Sequence, residues 1–253
     1  MAEKADIKAL FKAGAHFGHQ RSRTDARSSD YIFSFKNKIA VIDLEKTLKS
    51  IDEVVNLISK KAQEGAVFMF VGTKLQAQEA VKKYATELKM PYVTERWPGG
   101  LLTNFEVVFK SIKRMVKTEK DLAEGKFDHL TKAEKLKMDK DLKKSETIFG
   151  GLKELERMPE VLIAVDALNE SIAIKEAKIK RIPVIALCDT NSNPKEIDYP
   201  IVSNDDSRSA IDLILGILSL AIKENYKAKV KESEVEERVE KAIEKGKSRD
   251  GKN

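Results

Sequence analysis

An α/β fold, a parallel sheet covered by helices on both faces, is predicted by three observations. The first is a set of short apolar runs: IAVID (39–43), VFMFVG (67–72), VLIAVD (161–166) and IPVIALCD (182–189). They have the length of buried strands and are too short for buried helices. The second is that segments with apolar residues three and four apart follow several of them, the pattern of amphipathic helices. The third is the alternation of the two, which belongs to sheets whose strands are parallel. Crossovers in such sheets are right-handed, and loops at the carboxyl ends of the strands carry function.

Taken in order, Asp6 is placed to cap a short helix over 7–13 that Gly14 ends. Residues 15–38 hold no sustained period and read as an irregular, extended basic arm, with a strand at Tyr31–Phe35. IAVID is read as the first strand of the sheet. A helix over 44–63 then puts Leu44, Leu48, Ile51, Val54, Val55 and Ile58 on one face and stops at Gly65. VFMFVG is the second strand, 75–89 the second helix and YVTE (92–95) a short third strand.

That strand delivers RWPGGLLTNFE, residues 96–106, which holds the only tryptophan. Thr103 and Glu106 have the spacing of a capping box, with Leu102 and Val107 placed as its hydrophobic staple. Gly99-Gly100 permits a tight turn or the close approach of another backbone. Capping leaves Arg96 and Trp97 unexplained. Filling the core is one reading of Trp97; contact with a ligand is the other.

Beyond the loop, Phe105, Val108, Phe109, Ile112, Met115, Val116 and Leu122 follow helical spacing until GKFDH breaks it. Thr131 and Glu134 form a second capping box. The next helix carries Leu136, Met138, Leu142, Phe149, Leu152 and Leu155. Two helices with narrow apolar stripes predict an antiparallel hairpin inserted between the third and fourth strands. Strand and helix then resume: 161–166, a helix over 170–180 capped by Asn169, 182–189, a last strand at 201–203 and a helix over 206–223. The division expected is an N-terminal helix and basic arm (1–38), an α/β domain (39–104 with 158–223), a helical hairpin insertion (105–157) and a charged tail (224–253).

Charged residues make up 35% of the 253, against roughly 25% in average proteins, and the net charge is +6. Its distribution is uneven: net +4 over 1–38, zero over 39–109, +4 over 110–157, −4 over 158–222 and +2 over 223–253. Positive extensions on a neutral-to-acidic body suit a polyanion. No apolar run is long enough to cross a membrane. MAEKADIKAL lacks the apolar core of a signal peptide, and Cys188 is alone, so a cytoplasmic protein without a disulfide is expected.

VGTK (71–74) ends a strand and opens a helix, whose N-terminal N–H groups can hold a phosphate near Lys74; it lacks the spacing of a Walker loop, and ordinary turn chemistry is the competing reading. With three histidines and one cysteine a structural zinc cluster is not expected. A bound metal ion is a minority reading, with His19, Asp189 and Asp205 as its ligands. Arg21, Arg23, Arg27, Lys36 and Lys38 lie in the arm with few acids around them, as phosphate-binding segments do. Phe17, Tyr31 and Phe33 are candidates either for stacking on bases or for anchoring the core. Nothing resembles a Ser-His-Asp set or a reactive cysteine site.

Several stretches together resemble the small-subunit ribosomal protein two family of the bacterial type: LFKAGAHFGHQ (10–20), YIFSFKNKIAVIDLEKT (31–47), FVGTK (70–74), ERWPGGLLTNF (95–105), RMPEVLIAVDALNESIAIKEA (157–177), IPVIALCDTNSNPKEIDYPI (182–201) and NDDSRSAIDL (204–213). The resemblance implies a flavodoxin-like sheet of order 2-1-3-4-5 with a protruding coiled-coil hairpin, in a non-enzymatic, cytoplasmic component of the small ribosomal subunit. The partners implied are small-subunit rRNA and neighbouring small-subunit proteins, among them the large mRNA-binding ribosomal protein one, docked by protein contacts. No required cofactor, no membrane and no homo-oligomer are implied. Carried over, the RNA-facing residues are His19, Arg21, Arg23, Arg27, Lys36, Lys38, Lys74, Arg96, Trp97, Gly99, Gly100, Asn104, Lys110, Lys113 and Arg114. The family continues HFGHQ with a tryptophan-asparagine-proline-lysine pattern; here RSRTDARSSDY stands instead, which leaves open what packs or stacks there. Two other readings stand beside this one. One is a metal- or nucleotide-dependent phosphoryl-transfer enzyme using Asp166, Asp189 and Lys74. The other is a protein-interaction module built on the hairpin.

Overall fold

The structure, a computed structural model, describes residues 6–127 and 131–226. Two sheets organise it. A five-stranded parallel sheet has the order β5-β4-β6-β7-β8, where β4 is Phe68–Val71, β5 Tyr92–Val93, β6 Val161–Val165, β7 Val184–Cys188 and β8 Tyr199–Val202. The other is a three-stranded antiparallel sheet of β1 (Phe17–Gln20), β2 (Ile32–Lys36) and β3 (Ile39–Ile42), with β3 in the middle.

The period-2 alternation of side chains explains how the parallel sheet is covered on both sides. Phe68, Phe70, Val161, Ile163, Val165, Ile185 and Leu187 point to one face. There they meet α1 (Ile7–Lys12) through Leu10, α2 (Leu44–Glu64) through Ile51, Val54 and Ile58, and α3 (Leu75–Leu88) through Ala77 and Val81. A helix over 208–226, here α7, adds Ile211, Ile214 and Leu218. Met69, Val71, Leu162, Ala164, Val184, Ala186 and Cys188 point the other way. They pack on Trp97, Leu101, Leu102, Ile112 of α4 (Phe105–Ala123), Leu152 and Leu155, and on Ala173, Ile174 and Ala177 of α6 (Ser171–Ile179).

The caps at Asp6 and Gly65 form as expected, the Asp6 carboxylate accepting from Lys8 N–H and Gly65 adopting φ 78°. The capping box at Thr131 and Glu134 closes at the start of α5 (Lys132–Phe149). α4 and α5 lie side by side over a groove of about 570 Å³ lined by Met115, Met138, Leu142 and Phe149. The predicted break between them falls partly on 128–130, and most of the predicted tail on 227–253, both outside the described residues. Leu152 and Leu155 stand beyond α5 and belong to the sheet's core.

Four expectations need correction. IAVID is not the first strand of the parallel sheet: β3 pairs antiparallel with β1 and β2, because both neighbours in sequence are close enough to reach it first. The segment 15–38 is not an irregular arm. It is fastened to the body by His19 N–H on Thr190 Oγ1 (2.9 Å), Asp25 N–H on Thr190 O (2.8 Å) and the Ser28 hydroxyl on Ser192 O (2.6 Å). Gly18 is what allows this approach, since a Cβ there would lie 2.7 Å from Thr190 Cγ2. Thr103 does not cap α4; the N-cap is Asn104, without a side-chain bond, and Val107 is exposed. Nor does Asn169 cap α6, whose N-cap is Glu170; the Asn169 amide donates to Thr73 Oγ1 at 2.7 Å.

The β2–β3 turn is made by Asn37 (φ 51°) and Lys38 (φ 64°), flanked by the Lys36–Ile39 pair. Two left-handed residues in a two-residue hairpin are a type I′ turn, where glycine is preferred at the second position. Replacing Lys38 with glycine is therefore expected to raise stability by about 0.5–1 kcal/mol, read as a higher midpoint in urea unfolding.

Candidate functional site

At the carboxyl ends of β4, β6, β7 and β8, ionisable side chains converge. Lys74 Nζ lies 2.6 Å from Asp205 Oδ1, 2.6 Å from Asp206 Oδ1 and 3.4 Å from Asp166 Oδ2. Burial lowers the affinity of the Lys74 ammonium for its proton, but hydrogen bonds to Asp205 and Asp206 outweigh burial and hold its pKa above the ordinary value. Burial, with the charges of Asp166 and Asp189 added, pushes the Asp205 carboxyl up to about 7 despite Lys74. Beside this group, His19 Nδ1 is 3.0 Å from Asp189 Oδ2 and Nε2 is 3.6 Å from Asp206 Oδ2. The hydrogen bond with Asp189 raises the His19 pKa against the opposing effect of burial.

This arrangement alters the expected role of Lys74. Its charge is already taken by three carboxylates, and a phosphate would meet four acids and one ammonium. The turn just before that helix is also occupied: the Glu170 carboxylate accepts from Thr73 N–H (2.8 Å) and from the Thr73 hydroxyl (2.6 Å). For a divalent cation the donor set is His19, Asp189 and Asp206, whose ligand atoms lie within 4.8 Å of one another. Asp206, which meets Lys74 through Oδ1 and faces His19 through Oδ2, stands there in place of the expected Asp205. Three protein ligands leave one position of a tetrahedral zinc site open.

The RWPGGLLTN loop is built around a carboxylate distant in sequence and outside the candidate site residues named above. Glu176, 7% exposed on α6, receives Trp97 Nε1–H (3.0 Å) and Gly100 N–H (2.8 Å) on Oε1. Its Oε2 receives Leu102 N–H (3.0 Å), Thr103 N–H (3.1 Å) and the Thr103 hydroxyl (3.1 Å). Burial alone would raise its pKa; the bonds from Thr103, Trp97, Gly100 and Leu102 outweigh burial and hold it below the ordinary value. A signal was present in the sequence: Glu170 and Glu176 sit against the buried Ala173, Ile174 and Ala177 of one short helix.

Trp97 is thus a core side chain, 8% exposed with its N–H committed to Glu176, and stacking on a base is not open to it. Gly100 has φ 84° and is needed for the turn, whereas a Cβ on Gly99 would meet nothing within 4 Å, so the surface there is open. Arg96, Asn104, Lys110, Lys113 and Arg114 are exposed around the loop and the first turns of α4. Among the described residues Arg96, Lys110 and Arg114 make no ion pair, while Lys113 Nζ lies 5.0 Å from the Phe109 ring centre. In the N-terminal segment Arg21, Arg23, Lys36 and Lys38 are exposed, Arg21 standing 5.1 Å over the Phe35 ring. Arg27 is paired with Asp25 (2.8 Å) and Glu196 (3.5 Å), and Asp25 is lowered to about 2 by its hydrogen bonds with Arg27. Phe17 and Phe33 are exposed and Tyr31 is half-buried.

The family model described as Ribosomal protein S2 matches residues 10–225. A relative named small ribosomal subunit protein uS2 from Porphyromonas gingivalis is 45% identical over 215 residues, 85% of this chain and 76% of its own. Proteins of the same name from Flavobacterium johnsoniae (42% over 236 residues, 93% of each chain) and Dehalococcoides mccartyi (43% over 231 residues, 91% of this chain and 94% of the relative) are also similar.

Proposed function

Since the chain belongs to the ribosomal protein S2 family, we propose that it binds small-subunit rRNA through the rim of the RWPGGLLTN loop and the first turns of α4. It is a structural protein of the ribosome and not an enzyme. The observation that carries the proposal is the sorting of charge. Lys74 and Arg27 are already held by carboxylates, while Arg96, Lys110 and Arg114 stand exposed without an acidic partner among the described residues. Unpaired cations beside an open, glycine-floored surface suit phosphate oxygens and carry no base code. Arg21, Arg23, Lys36 and Lys38, on and beside the small sheet, are further exposed cations without an acidic partner among the described residues.

The order β5-β4-β6-β7-β8 supports reading the body as flavodoxin-like, and the stripe between α4 and α5 supports reading them as a coiled-coil hairpin. Docking of the large mRNA-binding ribosomal protein one, in a cytoplasmic ribosome, completes the proposal and rests on family resemblance. Among the described residues no helix is long and apolar enough to cross a membrane.

Arg96→Ala is the test. The variant is expected to unfold at the same temperature as the parent, to bind small-subunit rRNA more weakly and to show a salt dependence shallower by about 0.7–0.9 in log–log slope, the value of one lost phosphate contact. An unchanged slope would remove Arg96 from the interface, and binding that ignores salt altogether would favour a protein-only module.

A further inference from the structure

The outward side of α6 is apolar and cationic at once. Leu168 in the turn before the helix, Ile172 and Ile179 are 58%, 60% and 70% exposed. Ile172, Lys175 and Ile179 are spaced i, i+3, i+7, which places them on one line of the helix. The two acids of this segment, Glu170 and Glu176, are buried and their carboxylates are taken up by hydrogen bonds from Thr73 and from the 97–103 loop, so neither offers a charge to the ridge. Lys175, Lys178, Lys180 and Arg181 are all exposed, and among the described residues none of the four makes an ion pair. Beside the ridge lies a cavity of about 330 Å³ whose lining includes Leu168, Ile174, Lys175 and Lys178. Its acids, Asp25 and Glu196, are held by Arg27.

RNA does not fit this face well. Leu168, Ile172 and Ile179 have no π-face for a base to stack on, and phosphates drawn to the lysines would leave all three wet. A helix carrying leucine-like anchors at matching spacing, with acids along both sides, would cover the ridge and pair the cations together. We propose that the outer face of α6 docks an acidic amphipathic helix of a neighbouring protein in the small subunit. This rests on the placement of the chain in that particle.

Two measurements test it. In the first, Ile172 is replaced by a photo-crosslinking phenylalanine analogue in the full chain, small subunits are isolated by sedimentation and irradiated, and the linked peptide is mapped. A link to an acid-rich helical segment of another protein is the expected result; a link to rRNA, or none, overturns the proposal. If the chain fails to sediment with small subunits, the placement and this inference fall together; entry without the expected link sinks only the inference. In the second, a synthetic glutamate-rich amphipathic helix is titrated into the purified chain and followed by anisotropy. The double variant Ile172→Glu/Ile179→Glu is expected to keep the parental melting temperature and to bind at least about tenfold more weakly. Equal binding by the two proteins would overturn the proposal.

Discussion

Glu176→Ala is expected to lower stability by roughly 3–5 kcal/mol and the melting temperature by about 8–15 °C. The alanine would leave Trp97 Nε1–H, three backbone N–H groups and the Thr103 hydroxyl without their acceptor, all at the edge of a packed core. Each such donor left unsatisfied costs about 1–3 kcal/mol while it stays buried. The sum is limited because the loop can open and let water in. That opening is the functional consequence: Arg96 and Asn104 would no longer be held at the mouth of α4, so RNA binding should weaken along with stability. Glu176→Gln keeps two acceptor lone pairs and the side-chain shape but turns an NH₂ group toward N–H donors, and it should fall between parent and alanine. The pH dependence has a fixed sign. Because the folded carboxyl is held below its ordinary 4.5, its contribution is complete above that value and is lost as pH falls through the lower folded one. Tryptophan fluorescence, with Trp97 the only reporter, should therefore change on acidification in the parent and lose that step in Glu176→Ala. A parent and a variant with superimposable acid titrations would refute the role given to Glu176.

Much of the body was legible because strands and helices announce themselves locally. The runs at 67–72, 161–166 and 182–189 contain the observed strands, since uninterrupted apolar runs suit a sheet buried on both faces. What local pattern could not say is which sheet a run joins, and IAVID looks no different from the others although it is the centre of a separate antiparallel sheet. The two Thr-x-x-Glu boxes make the limit plain. Thr131 faces solvent and closes its box with Glu134, whereas Thr103 gives both its hydroxyl and its N–H to Glu176, far away in sequence. A buried carboxylate is the stronger acceptor, so tertiary structure overrides the same four-residue pattern. The site residues divide similarly. Arg96 and Lys110 are exposed, whereas Trp97 and Lys74 have partners inside the protein that only the fold brings near, and Arg27 is held mainly by Asp25 two residues away.

Lys74→Met is expected to cost about 3 kcal/mol at pH 8 and much less at pH 5. The ammonium is the common partner of Asp205, Asp206 and Asp166, and removing one side of a buried pair leaves charge uncompensated at about 3–5 kcal/mol. Asp206 is half exposed and can turn to water, which places the loss at the low end. The pH dependence follows from Asp205. Its folded carboxyl already sits near 7, above its ordinary 3.8, through burial and the neighbouring acids. A raised carboxyl contributes stability that is full below 3.8 and is lost as pH rises through the folded value. Without Lys74 that value moves higher still, so at pH 5 the variant can protonate Asp205 and escape most of the penalty, while at pH 8 it cannot. Urea unfolding at the two pH values reads this directly. The double variant Lys74→Met/Asp205→Asn should recover a large part of the loss at pH 8, because the two side chains act as one unit. The same pair of substitutions separates structure from recognition. If Lys74 contacted a phosphate, its loss would flatten the salt dependence of RNA binding as Arg96→Ala does; since its charge is neutralised within the fold, the slope should stay parental while stability falls.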